Sequence, residues 1–294
     1  MRKTLRAVLI FSALFSNDFA TAGKDVKIKA VASFSILGDM VSNIGGEHIE
    51  LFVLVGRNSD GHVYEPTPRD VKQVANANIL FINGLHFEGW IERLIEAAEF
   101  KGTLVVATQG ILPLITATKE IDPHAWQSLA NARIYAKNIA AGLSSIDKSH
   151  SNIYKENLQI YLKKIDLAEQ KIIAAITKLP PEHRKVITSH DAFKYFEAAY
   201  GLSFSAPQGL STNAEASATD VAALIRQVRA EKTPAIFLEN ITDPRQIEQI
   251  TQETKAIIGG TLYSDALSEK NQPADTYLHL MLHNTTLLTE ALSY

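Results

Sequence analysis

A chain of 294 residues with 46% hydrophobic and 21% charged residues can bury a substantial core, and its length suits one large or two medium domains. Its formal charge of −3, with Lys and Arg scattered among acids, offers no basic face and argues against nucleic-acid binding. Cysteine is absent, which excludes a disulfide framework and any thiolate ligand for a soft metal.

Residues 1–22 read as a signal peptide: Arg2, Lys3 and Arg6 form a basic n-region, Ala7 to Phe15 an apolar core, and Ala20-Thr21-Ala22 a small-residue cleavage site, so the mature chain begins at Gly23. The apolar run is too short to span a bilayer, and no later stretch approaches the required ~20 apolar residues. With no cysteine near the cleavage site to carry a lipid, the expected product is a periplasmic protein that is secreted and not lipid-anchored.

Within residues 23–148, β-branched runs at about Lys29 to Ser33, Ile49 to Val55, Ile79 to Asn83 and Leu104 to Ala107 predict strands, each followed by a helix or loop. Such alternation predicts a parallel sheet whose ligands bind at loops beyond the carboxyl ends of the strands. His62 and His124 lie in such loops. A helix should start just after His62, because Thr67 can cap it, Pro68 suits its first position and Asp70 complements the exposed amides.

Residues 149–181 predict a linker helix. From Asn152 to Leu179, Ile153, Leu158, Ile160, Leu162, Ile165, Leu167, Ile172 and Ile173 are spread among Lys, Glu and Gln, with no Gly or Pro before Pro180. At 1.5 Å per residue this helix spans roughly 40 Å, more than a crossover within one sheet needs, so it joins two lobes. Alternation restarts over residues 182–294: a strand at Lys185 to Thr188, helices at Ala192 to Tyr200 and near Thr219 to Glu231, a strand at Ala235 to Leu238, a helix after Pro244, and a last helix from Asp275 to Leu292. The expected fold is α/β, two βα lobes with parallel sheets joined by one long rigid helix.

Three histidines stand at turn-like punctuation, His62 in Asp60-Gly61-His62, His124 in Asp122-Pro123-His124 and His190 in Ser189-His190-Asp191, with Asp265 further on. They lie far apart in the chain, so the chain must fold before they can meet. Imidazole nitrogens and a carboxylate suit first-row divalent ions, and three His with one Asp can close a four-coordinate zinc site at about 2.0 to 2.2 Å in the cleft between the lobes. Glu239, ending a strand, could support such a site from behind. Singly, each residue has a plainer role open to it: a loop histidine is more often exposed or capping, and Asp265 could cap a helix before Ala266-Leu267. Among the other histidines, His48, His150 and His183 lie in polar connections, His279 and His283 share a helix face, and His86 follows a strand and could approach the cleft. Trp90 and Trp126 read as packing residues.

A zinc metallohydrolase is the alternative from another class, but there is no His-Glu-x-x-His helix or nucleophile elbow, and four protein ligands would leave no position for water, so no enzyme is expected. A metal that only rigidifies the fold would couple its loss to unfolding; a cargo metal leaves a folded apo form, each lobe keeping its own core.

Together, Ser33-Phe34-Ser35-Ile36-Leu37-Gly38-Asp39, Gly61-His62-Val63-Tyr64-Glu65-Pro66-Thr67-Pro68, Asp122-Pro123-His124-Ala125-Trp126, Thr188-Ser189-His190-Asp191-Ala192-Phe193 and Thr261-Leu262-Tyr263-Ser264-Asp265 resemble the ZnuA/TroA-like zinc and manganese solute-binding proteins of ABC importers, over the whole mature chain. The resemblance implies one ion held between the lobes by His62, His124, His190 and Asp265, and delivered to an ABC permease driven by a cytoplasmic ATPase. A histidine at the third position, His190, favours Zn2+ as cargo, with Mn2+ or iron as the alternative within the class. The run Ala206-Pro207-Gln208-Gly209-Leu210-Ser211-Thr212 most resembles the AztC-type zinc branch. Pro113 to Asp122 is short and lacks the histidines of a metal-collecting insertion, so loading falls to the cleft itself or to a periplasmic metallochaperone. No coiled-coil pattern calls for a partner copy, and a monomer is expected.

Overall fold

The computed structural model describes residues 26–116, 118–231, 235–254 and 256–293. The signal peptide at 1–22 and the cleavage before Gly23 lie outside them. In the first lobe β1 (Ile28–Phe34), α1 (Ser35–Gly45), β2 (Ile49–Val55), α2 (Pro68–Ala75), β3 (Ile79–Ile82), α3 (Ile91–Ala97) and β4 (Thr103–Val106) follow one another, and all strand pairs are parallel in the order β2-β1-β3-β4. The strands are apolar because helices cover both faces: the last five residues of β1 and all four of β3 are buried. α2 starts as its sequence dictates, with Thr67 Oγ1 accepting from the Asp70 amide and the Asp70 carboxylate accepting from the Thr67 amide.

Two helices follow, α4 (Leu129–Ile146) and α5 (Ser151–Ile176). Tyr154, Tyr161, Ile165, Ala168, Ile172 and Ile176 form the buried stripe of α5, whereas Ile160, Leu167 and Ile173 are exposed. The second lobe then contains β5 (Lys185–Ile187), α6 (Lys194–Tyr200), β6 (Ser203–Ser205), α7 (Ala218–Glu231), β7 (Ala235–Glu239), α8 (Arg245–Thr254), β8 (Ile257–Leu262) and α9 (Tyr277–Leu292). Its sheet is also parallel, in the order β6-β5-β7-β8, which is the order of the first lobe.

β6, β8 and α4 are additions to the elements expected from sequence. β6 is only Ser-Phe-Ser, and β8 is interrupted by Gly259-Gly260. A Cβ on Gly259 would meet the Phe237 ring at 2.6 Å, so the strand can pair with β7 only because that side chain is missing.

The expectation of separate cores is corrected. One apolar cluster runs from Ala30, Phe81 and Leu94 in the first lobe through Tyr161 and Ile172 of α5 to Phe196, Phe237 and Leu288 in the second. The reason is the placement of α9, which packs on α5 and also touches α1. A smaller cluster, including Ile187, Leu224, Ile236 and Ile250, fills the space beneath α7 and α8. Among the described residues, no helix is long and apolar enough to cross a membrane.

Candidate metal centre

The four residues singled out from the sequence sit beyond the carboxyl ends of β2, β4, β5 and β8, two from each lobe. His62 follows β2 in a turn where Asp60 Oδ1 accepts the His62 amide at 2.8 Å. Trp90 Nε1 donates to Gly61 O at 2.8 Å, and Phe87 packs edge-on against the His62 ring with centroids 4.8 Å apart. A Cβ at position 61 would strike Phe87 at 2.6 Å, so only glycine lets the chain pass this close. The second loop uses the same Asp-x-His device: Asp122 Oδ1 accepts the His124 amide at 2.9 Å and lies 2.8 Å from His124 Nδ1.

In the second lobe Glu239, the last residue of β7, holds the His190 loop. Its Oε1 accepts the amides of Ser189 and His190, each at 2.8 Å, and its Oε2 lies 2.6 Å from His190 Nδ1. The Asp265 loop is gripped from the other lobe, where Trp126 Nε1 and Gln127 Nε2 both donate to Ser264 O, at 2.9 and 2.8 Å. Tyr277 Oη donates to Trp126 O, and Tyr195 Oη to Asp122 O at 3.0 Å. The stretch carrying His124 is thus clasped by the second lobe.

One atom from each residue lies within 4.8 Å of all the others. His62 Nε2 is 3.3 Å from His124 Nε2; Asp265 Oδ2 is 3.2 Å from His62 Nε2, 3.2 Å from His190 Nε2 and 3.7 Å from His124 Nε2. Ligand atoms about 2.0 to 2.1 Å from a tetrahedral ion stand roughly 3.3 Å apart, so these separations fit one ion among the four. Both Asp265 oxygens and His190 Nε2 are buried without a hydrogen bond of good geometry, while His190 Nδ1 faces Glu239 Oε2. Buried polar atoms left this way are rare, and a cation is the partner that would satisfy three imidazoles and a carboxylate together.

The electrostatics are those of a cation site. Burial alone would lower the His190 and His124 pKa values, but Glu239 and Asp265 outweigh it and hold His190 well above the usual imidazole range, while Asp265 and Asp122 carry His124 up to about 9. Burial opposes ionisation of Asp265 too, and His190 and His124 overcome it, holding its carboxyl well below the usual range. His62 differs: burial dominates and lowers it. A divalent ion among the four would compete with protons on His124 and His190 for the charge of Asp265.

Of the remaining candidates, His86 lines the cleft beside His62, Trp90 and Trp126 are buried and hydrogen-bonded, and Asp265 does not cap a helix, none starting there. Sequence reasoning missed the support given by Asp60 and Asp122. The repeated Asp-x-His spacing was the signal that could have found it, since an aspartate two residues before an amide commonly accepts from it.

The chain matches the family described as ZnuA, zinc-uptake complex component A, periplasmic, over residues 30–291. It is 33% identical over 299 residues to the manganese ABC transporter substrate-binding lipoprotein PsaA of Streptococcus anginosus, covering 98% of this chain and 96% of that protein. The periplasmic zinc binding protein TroA of Treponema pallidum superposes with a TM-score of 0.87 at 29% identity, covering 90% of this chain and 99% of the other. The Mn-bound periplasmic metal binding protein from Candidatus Liberibacter asiaticus gives 0.82 at 32% identity, covering 90% and 100%. These matches establish the family, not the AztC-type branch within it.

One expectation is overturned: relatives aligned over nearly their whole length are named lipoproteins, which contradicts a receptor that is not lipid-anchored. The absence of cysteine speaks to one attachment chemistry only, whereas a chain can be held at a membrane by others. An extracytoplasmic position agrees with all of these relatives. The two parallel-sheet lobes, the long helix and a match spanning almost the whole described chain lead to one conclusion: this chain belongs to the ZnuA/TroA family of periplasmic metal-binding components of ABC importers, and is a substrate-binding protein rather than an enzyme.

Proposed function

We propose that His62, His124, His190 and Asp265 together capture one divalent first-row ion outside the cytoplasm, with zinc as the cargo, and that the chain presents it to an ABC permease whose ATPase drives uptake. In this reading residues 23–148 and 182–294 are the two metal-binding lobes and 149–181 the helix that fixes their spacing. The observation that carries it is the convergence of four buried donor atoms, with neither Asp265 oxygen receiving a hydrogen bond. Three nitrogens with one oxygen support zinc, because manganese favours more oxygen donors and six-fold coordination. Loading through the cleft needs no collecting loop, since His62 lines an open cavity of about 420 Å³.

A manganese receptor is the second reading, favoured by the relatives named for manganese. Competitive titration of the chelated, refolded chain with zinc and manganese, with metal content read by mass spectrometry, separates the two. One zinc per chain held over manganese is the expected result; manganese retained in the presence of zinc moves the assignment to the second reading. Replacing His190→Glu should shift preference towards manganese by adding an oxygen donor, and unchanged preference would deny His190 a selecting role.

A further inference from the structure

Asp60 makes two bonds that no other side chain in the site combines. Its Oδ1 accepts the amide of His62 at 2.8 Å, and its Oδ2 accepts Thr212 Oγ1 at 2.5 Å from the opposite lobe. Thr212 is tied in turn to the His190 loop. Gln208 Nε2 donates to Thr212 O at 3.2 Å, the Gln208 amide donates to Ser189 O at 3.4 Å, and Gln208 pairs with His190 in a parallel bridge. A continuous hydrogen-bonded path thus joins the His62 and His190 loops without passing through the metal position.

This path lies beside the way out. His62 is the most exposed of the four converging residues, at 7% against 0% for His124, 0% for His190 and 1% for Asp265. It lines the cavity of about 420 Å³ whose second-lobe wall is Leu210, Ser211 and Asn213, the immediate neighbours of Thr212. The His62 loop cannot swing from the ion along this route unless the Asp60–Thr212 bond breaks or the 208–213 loop moves with it.

We propose that Asp60 is a positioning residue which, through Thr212, latches the His62 loop to the second lobe and sets how long the cargo ion is retained. This rests on the receptor reading above. A hydrogen bond to a charged group resists opening more than a neutral one, so its loss should appear in the dissociation rate.

The test is stopped-flow dissociation of Zn2+, and separately of Mn2+, from the loaded chain into excess chelator, for the wild type and for Thr212→Val, Thr212→Ser and Asp60→Asn. Thr212→Val replaces the hydroxyl with a methyl and should release the ion about tenfold faster, equivalent to ~1.4 kcal/mol, with apo melting unchanged. Thr212→Ser keeps the hydroxyl and should restore the slow rate, which a merely structural role for the side chain would not require. Asp60→Asn keeps an acceptor for the His62 amide and should release the ion faster than wild type. Wild-type dissociation from a one-to-one Thr212→Val complex overturns the latch and leaves the receptor reading intact. A wild-type chain that takes up no stoichiometric ion overturns both.

Discussion

In each lobe a buried glutamate ties together the carboxyl ends of the first and third strands of the sheet. In the first lobe Glu88, just beyond β3, accepts Ser33 Oγ at 2.5 Å and the amides of Asn83 and Gly84 at 2.6 and 3.1 Å. In the second, Glu239 at the end of β7 accepts the amides of Ser189 and His190 and also faces the His190 ring. The strand order is the same and so is the carboxylate; what differs is the side chain it meets, a serine near the end of the first strand in one lobe and an imidazole just beyond the first strand in the other. Glu88 therefore ends its influence inside the lobe, holding Asn83, which donates to Pro123 O and accepts from Tyr135 Oη. Glu239 passes its charge through an imidazole into the cleft. One structural device thus stabilises a loop in the first lobe and tunes a donor atom in the second.

The comparison gives no special status to Asp265, which belongs to neither glutamate, and its removal has the largest expected effect. Asp265→Ala should abolish one-to-one binding in titration calorimetry, a loss beyond the ~10–100-fold that follows removal of an outer partner. Next in size, Glu239→Gln should weaken binding by roughly 10–100-fold, because the neutral amide no longer orients the His190 ring and raises the basicity of its Nε2 as the carboxylate does. The counterpart Glu88→Gln should leave affinity within a few-fold but lower unfolding stability by about 1–3 kcal/mol, since one amide oxygen cannot satisfy donors that now meet two carboxylate oxygens. Equal losses of affinity in the two variants would break the distinction between the lobes.

An effect on stability alone concerns Asp39 on α1, whose Oδ2 accepts the Tyr277 amide at the start of α9, at 3.0 Å. Burial raises its pKa from 3.8 to about 6, against the pull of that amide and of Arg57 and His279, with Asp275 pushing the same way as burial. The folded chain holds this proton more tightly than the unfolded one, so the contribution to stability is full below 3.8 and is lost as pH rises through about 6. Asp39→Asn should remove this loss, gaining up to about 3 kcal/mol over wild type between about pH 4 and pH 7. Parallel curves of melting midpoint against pH for the two proteins would contradict it.

Much of the architecture was legible because its signals are local. The capping sequence Thr67-Pro68-Arg69-Asp70 fixed the start of α2, and the absence of Gly and Pro before Pro180 marked α5, both within a few residues of where they occur. β8 was hidden because Gly259-Gly260 erases the strand pattern that pairing with Phe237 supplies. The side chains that converge were legible only jointly, since singly a loop histidine is more often exposed or capping, whereas the five motif strings together single out the same four residues. What no local pattern records is the cross-lobe bonding: Arg57 Nη1 donating to Ser268 O and Asp275 O, Asp60 meeting Thr212, and Trp126 and Gln127 reaching Ser264 O. Those bonds join residues distant in sequence, and they replace the expectation of two independent lobes with one continuous core.

That continuity gives the central claim: four residues from two lobes form a preassembled site that receives an ion, and the ion does not build the fold. Native mass spectrometry of the chelator-stripped chain, before and after addition of Zn2+, tests it in one measurement. The account predicts a narrow set of low charge states before metal, unchanged afterwards apart from the mass of a single ion. High, expanded charge states in the stripped chain that collapse only on adding metal, or a compact chain that takes up no single ion, would contradict it.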